Sequence, residues 1–407
     1  MRWFTVTLLL VLQAAPSRPG TERWNGTWAT APAGVSGTPE QFSGVTLRLV
    51  VHTSVGGEQV RVTISNSFGA EPLVLGAVHV AGHDHDADIV AGTDRALTFG
   101  GRASFTVPPG AQALSDPVAL HVARLSDLAV SVYLPAPTAE TTTHVTALQT
   151  NYVSTPGDFT AGAPFAIART ITRWPFLTGV EIVAGPQAGA IVAFGDSITD
   201  GANSTAGTNH RWPDLLAARL QQRSDLRQLG VLDEGIIGNR ILHPTETQFG
   251  NLFGPAGLAR FDRDVLAQPG VRFLIVLLGI NDIGHPGGSA PTSDEVSAKE
   301  IAAGYRQFIE RAHAHGLRVF GATLLPFEDT TLAGFFSPEK ETKRQAVNQW
   351  IRTSGAFDAV IDFDEAVRDP AHPARMLPAY DGGDHLHPSD AGMQAMANAI
   401  PLELFVR

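Results

Sequence analysis

Residues 190–201 read AIVAFGDSITDG: Ala190 to Phe194 is an unbroken apolar run, Gly195 ends it, and Asp196-Ser197-Ile198-Thr199-Asp200-Gly201 follows. A short apolar run closed by glycine fits a strand covered on both faces, as in a parallel sheet flanked by helices. Open α/β sheets hold their ligands beyond the carboxyl ends of the strands. A serine on the turn leaving such a strand presents its hydroxyl and backbone N–H there. The alternative for Ser197 is an ordinary serine capping a helix. The stretch is not a G-x-S-x-G elbow, because Thr199 stands in place of the second glycine.

Downstream, Phe273 to Leu278, Leu317 to Leu325 and Ala359 to Phe363 are three further strand candidates. Between them Ile301, Tyr305, Phe308, Ile309 and Ala312 share one helical face, and Gly316 is placed to end that helix. Ser337-Pro338 has the form of an N-cap and first-turn proline for a helix running toward Ile351, and Asp390 opens a last helix. Alternating strands and helices predict an α/β domain with a parallel sheet over residues 186–407. Upstream the pattern differs. Val60, Val62 and Ile64 alternate with Arg61, Thr63 and Ser65, and Val130, Val132 and Leu134 alternate with Ala129, Ser131 and Tyr133. Turn signals at Gly56-Gly57, Gly100-Gly101 and Pro108-Pro109-Gly110 break the runs. Period-two alternation between such turns predicts an all-β sandwich-like domain over residues 21–185.

At the N-terminus Arg2, the apolar run Phe4 to Leu12 and the small residues Ala14, Ala15 and Ser17 outline a secretory signal peptide, residues 1–20. A poorly ordered tail is the alternative. Export would make the protein secreted or periplasmic. The run is too short to span a bilayer, and no other segment is long and apolar enough to form a transmembrane segment.

With 407 residues, 43% of them hydrophobic, the chain has material for more than one core, which excludes a disordered chain. Only 17% are charged, and 40 acidic against 29 basic side chains give a net charge of −11. Lys299, Lys340 and Lys343 are the only lysines and the arginines are scattered, so nucleic acid is not an expected partner. Cysteine is absent, which excludes disulfides, thiolate metal sites and a cysteine nucleophile.

A serine hydroxyl needs a base to become a nucleophile. Asp384-His385-Leu386-His387-Pro388 supplies one, because a carboxylate three residues before an imidazole can fold back onto it and fix its tautomer. His385 then points elsewhere, as a solvated loop histidine. Acyl transfer also needs donors for a developing oxyanion. Gly238, in Gly235-Ile236-Ile237-Gly238-Asn239-Arg240, permits close backbone approach, and Asn281, in Gly279-Ile280-Asn281-Asp282, offers a side-chain amide. Taken singly, each loop also reads as a plain turn.

In order and local sequence these four blocks resemble the SGNH (GDSL) hydrolase family over residues 188 to 400, through Gly195-Asp196-Ser197-Ile198, Gly238-Asn239, Gly279-x-Asn281-Asp282 and Asp384-x-x-His387. The resemblance implies a flavodoxin-like three-layer fold. It also implies Ser197 as nucleophile, His387 as base, Asp384 as its orienting acid, and an oxyanion hole of Ser197 N–H, Gly238 N–H and the Asn281 side chain, with no metal and no cofactor. Asp233-Glu234 departs from the family, where an asparagine and a small residue are usual before Gly235. The β-rich half is similar to the accessory domain of two-domain bacterial members related to xylan-associated esterases.

The expected activity is a secreted serine esterase acting on short- to medium-chain carboxylic esters. The alternative is an acetyl esterase acting on polysaccharide, with the β domain holding the glycan. The partner is thus a small-molecule or glycan-linked ester, and the sequence leaves oligomeric state open. A glycan-binding module with a vestigial site is the non-enzymatic reading, against which the complete set of site residues argues; acyl transfer to another alcohol uses the same acyl-enzyme. Asp196 and Asp200 read as loop-ordering residues. Trp212, Ile280 and Leu386 are acyl-pocket or core residues, core being the simpler reading. His83-Asp84-His85-Asp86-Ala87-Asp88 can be read as a cation site or as a solvated acidic loop.

Overall fold

The computed structural model describes residues 23–162, 164–185, 187–244 and 251–406, so the signal-peptide expectation for residues 1–20 lies outside the described residues. From Trp24 to Val183 the chain forms mainly two antiparallel sheets. One runs in the order Trp24–Ala29, Leu177–Val183, Gly57–Ser65, Val118–Val122, with Gln112–Leu114 also paired to Gly57–Ser65. The other runs Ile167–Ile171, Asn151–Ser154, Val45–His52, Asp127–Leu134, Ala77–Gly82, Arg95–Leu97. The alternating residues meet as expected: Val60, Val62 and Ile64 join Val130, Val132, Leu47 and Leu49 in one buried cluster. Alternation alone would leave Ser131 facing water, yet it is buried. The buried Arg48 explains this. Its guanidinium donates to Ser131 Oγ (2.9 Å), to Ala87 O and to Phe159 O (3.0 Å), and lies over the Phe165 ring, drawing two loops across the sheet's outer face.

From Gly189 the chain builds a parallel sheet in the order Leu229–Gly235, Gly189–Gly195, Val271–Leu277, Arg318–Ala322, Ala359–Ile361. This is the 2-1-3-4-5 order of flavodoxin-like folds, with its switch point between Gly189–Gly195 and Val271–Leu277. Parallel neighbours require crossover connections, and the longer helices here pack in two pairs. Trp212–Gln221 packs with Asp390–Ala399, and Ala298–Ala314 with Pro338–Thr353. Caps set their starts: Ser297 and Glu300 form a capping box, Ser337 accepts from Lys340 N–H, and Ser389 from Gly392 N–H. Trp212, Ile280 and Leu386 belong to the core of this sheet, and Trp212 packs on Phe363 (5.5 Å between ring centres). No helix among the described residues is long and apolar enough to cross a membrane.

The two regions pack closely. The outer edge of Leu229–Gly235 would be an open row of backbone groups. Instead Ser54 Oγ accepts from Val231 N–H (3.0 Å), and Gly26 O approaches Gly230 so closely that a Cβ there would lie 2.2 Å away, while Gly26 N–H donates to Pro269 O (2.9 Å) in the loop before Val271–Leu277. Ala29, from the β region, is part of the same buried cluster as Phe194 and Leu232.

Candidate active site

The strand Gly189–Gly195 runs into Asp196, whose Oδ1 accepts from Ile198 N–H (3.1 Å) and caps the short helix Ser197–Asp200. Gly195 is required there, because a Cβ would lie 2.0 Å from Thr199 Oγ1. Ser197 is thus the first residue of a helix at the carboxyl end of the central strand, 4% exposed. Its backbone N–H has no acceptor among the described residues.

Asp384 and His387 lie in a tight turn closed by Gly382 N–H to His387 O (2.9 Å). Asp384 Oδ1 accepts from Leu386 N–H (3.0 Å) and His387 N–H (2.8 Å), while Oδ2 meets His387 Nδ1 at 2.6 Å. An ionised carboxylate only accepts, so Nδ1 carries the proton and Nε2 is left as an acceptor. Nε2 lies 2.8 Å from Ser197 Oγ. Burial raises the Asp384 pKa, but the hydrogen bond and charge of His387 outweigh it and hold the carboxyl well below its usual range. The three residues therefore form one chain of hydrogen bonds along which a hydroxyl proton can pass to Nε2. His385 turns away with φ +59° and bonds to the Asp381 carboxylate, so it is paired rather than merely solvated.

Gly238 and Asn281 are tied to the same end of the sheet. Ile236 N–H donates to Gly195 O (3.2 Å), and Asn281 Nδ2 donates to Asn239 O (3.0 Å), which leaves its second amide hydrogen for another acceptor. The Gly238 N–H has no acceptor among the described residues. Asp282, next to Asn281, accepts from Ile241 N–H (2.7 Å) and Leu242 N–H (3.1 Å); burial lifts its pKa to about 6. Burial likewise lifts Asp196 to about 7. Both aspartates order loops, as does Asp200, whose Oδ2 accepts from Ile237 N–H (3.1 Å).

Two residues outside the sequence motifs brace this arrangement. Arg260, fully buried under Phe194, donates to Gly195 O (2.8 Å), Glu234 O (2.8 Å), Asn239 Oδ1 (3.0 Å) and Asp264 (3.0 Å), joining two strand ends to the Gly238 loop. Arg211 donates from Nε to Asp200 O (2.8 Å) and from its other end to Thr146 O (3.0 Å) and Ala147 O. Neither arginine carries a local sequence signal. In the β region His83 Nε2 donates to Asp86 O (2.8 Å), and exposed His85 lies between Asp84 (3.2 Å) and Asp88 (3.6 Å). Among the described residues no group of three or more His, Cys, Asp or Glu side chains is arranged to hold a metal ion.

Residues 193–395 match the model of the GDSL-like Lipase/Acylhydrolase family. Solved structures similar to this chain include a GDSL-like lipase from Bacteroides thetaiotaomicron VPI-5482, 16% identical, covering 55% of this chain and 90% of that one with a TM-score of 0.39. They also include a carbohydrate acetylesterase from Sinorhizobium meliloti, 16% identical over 53% of this chain and 98% of that one (TM-score 0.41). An aryl esterase from M. smegmatis is 17% identical over 54% and 99% of the two chains (TM-score 0.41). No curated protein matches this sequence. Through residues 193–395 the chain belongs to the GDSL-like lipase/acylhydrolase family of carboxylic ester hydrolases.

Proposed function

We propose that this protein is an exported serine esterase that cleaves short- to medium-chain carboxylic esters through an acyl-enzyme on Ser197. The observation that carries the reading is the unbroken relay from Ser197 Oγ to His387 Nε2 (2.8 Å) and from His387 Nδ1 to Asp384 Oδ2 (2.6 Å). As Ser197 Oγ attacks the carbonyl carbon, its proton passes to Nε2, and Asp384 stabilises the imidazolium. The carbonyl oxygen, now an oxyanion, takes the Ser197 and Gly238 N–H groups and the Asn281 amide as donors. His387 then gives the proton to the departing alkoxide, which leaves as the alcohol. A water molecule, deprotonated by His387, attacks the acyl-enzyme; the acid departs and Ser197 recovers its proton. Phe253 stands against Gly238 and stacks on His285 (5.6 Å), and such bulk beside the oxyanion donor favours the shorter acyl groups. Export rests on Arg2 and the apolar run Phe4 to Leu12.

The test compares the wild type with Ser197→Ala on p-nitrophenyl esters from acetate to palmitate, without added metal. Turnover is expected to peak at the short to medium esters and to fall at least about 10⁴-fold in the variant. Equal turnover by both proteins would contradict the assignment.

A further inference from the structure

Asp200 lies three residues beyond Ser197 and is 2% exposed. One carboxylate oxygen holds Ile237 N–H, the residue before Gly238; the other meets Nε2 of His144 at 2.9 Å. The second ring nitrogen of His144 faces Ala31 O at 2.9 Å. Both His144 and Ala31 come from the β region, so a histidine from one half of the chain holds an aspartate of the other half, directly behind the site. A carboxylate and a carbonyl can only accept, so His144 donates through both nitrogens and is an imidazolium. Burial disfavours that charge, but the Asp200 charge and the two hydrogen bonds outweigh it, and the pKa of His144 stands above the usual value. Arg211, over the Trp174 ring beside His144, completes the surroundings together with Asp214 and Asp233, which line the same cavity. A buried ion pair contributes little net stability compared with an apolar pair of equal volume. Its geometry, in contrast, reaches the oxyanion loop.

We propose that His144 is a positioning residue of the ester-hydrolysing site: by holding Asp200 it fixes Ile237 N–H, and with it the adjoining Gly238 N–H, which makes the β region part of the catalytic apparatus. The inference rests on the proposed role of Gly238 as an oxyanion donor. His144 touches neither substrate nor Ser197, and acts through Asp200.

The test uses the full chain with His144→Ala, His144→Gln, Asp200→Asn and the His144→Ala/Asp200→Asn double variant, measuring kcat and KM separately and the hydrogen exchange of the Ile237 amide. Loss of one oxyanion donor costs about 100- to 1000-fold, so its misplacement should cost part of that. His144→Ala is expected to lower kcat about 10- to 100-fold with KM within about twofold. His144→Gln, whose amide still donates to Asp200, should recover most of the loss. The double variant should be no worse than the poorer single variant, because both act on one element. Ile237 exchange should quicken in His144→Ala. Unchanged kcat, losses that multiply, or unchanged Ile237 exchange would overturn the proposal. If His144→Ala does not fold, His144→Leu, which fills the space but cannot donate to Asp200, takes its place: a lowered kcat with quickened Ile237 exchange supports the proposal, and a wild-type kcat or a loss carried in KM alone overturns it. A wild type without serine-dependent turnover would refute the esterase reading instead, while Ile237 exchange would still judge the coupling.

Discussion

At φ +70° Gly238 holds a backbone conformation that side chains with a Cβ rarely adopt, and a Cβ placed there would lie 2.4 Å from the Phe253 ring. Gly238→Ala must therefore move the loop, and with it the N–H assigned to the oxyanion. The expected outcome is a kcat lowered about 100- to 1000-fold on an acetate ester, with His387 and Ser197 still in place. Wild-type turnover by this variant would remove Gly238 from the site. Asp233 makes a second residue-scale prediction. It stands where the related family usually has asparagine, its Oδ1 accepts from Gly235 N–H (2.9 Å), and burial pushes its pKa up to about 8. Near neutral pH it is thus mostly a neutral carboxylic acid doing the work of an amide. A raised carboxyl pKa gives stability that is present below the unfolded pKa of about 4 and lost as pH rises toward the folded value. The difference in melting temperature between Asp233→Asn and wild type should therefore shift in favour of the variant from pH 5 to pH 8, then level off. A difference independent of pH would contradict the neutral form. Ser197, Asp384 and His387 were legible because their motifs are local: a three-residue turn and a strand-to-helix cap. Arg260 and His144 were not, because the site groups they hold, Gly195 O and the Asp200 carboxylate, lie 65 and 56 residues away along the chain.

Among the elements, the strand Gly189–Gly195 and the helix Ala298–Ala314 were readable because burial on both faces or on one face leaves continuous or 3.6-period apolar patterns. The strand Leu229–Gly235 was not among the four apolar runs. It carries Asp233-Glu234 just before its closing Gly235, and its outer edge meets the β region, where Ser54 Oγ accepts from Val231 N–H. The run Ala359 to Phe363 stops as a strand at Ile361, because Asp362 accepts from Glu365 N–H and starts the helix Phe363–Val367. What joins helix to sheet is aromatic: Phe308 sits edge-on to Phe194 (5.4 Å) and stacks on Phe261 (4.9 Å). Phe308→Ala should destabilise the protein by about 3–5 kcal/mol in urea unfolding. A cost below about 1 kcal/mol would mean that this cluster does not hold the helix to the sheet.

Across the whole molecule, the change of pattern near residue 185 marked the switch from antiparallel to parallel sheets, yet nothing in it announced how tightly the two regions join. Ser54 and Gly26 complete the edge of the parallel sheet, Ala29 enters its core, and the His144–Asp200 pair lies buried between them at 5% and 2% side-chain exposure. Two regions sharing a core and an edge should unfold together. Calorimetry is expected to record one transition with matching calorimetric and van't Hoff enthalpies; two separated transitions would contradict a shared core. For the same reason residues 186–407 expressed alone should lose solubility or turnover, because Leu229–Gly235 would present an open edge.

The most direct measurement for the serine mechanism is the intact mass and peptide map of the protein after treatment with a fluorophosphonate ester. One phosphonyl adduct on the peptide carrying Ser197 is predicted, absent in Ser197→Ala and formed far more slowly in His387→Ala. An adduct on another residue, or equal labelling of wild type and Ser197→Ala, would contradict the account.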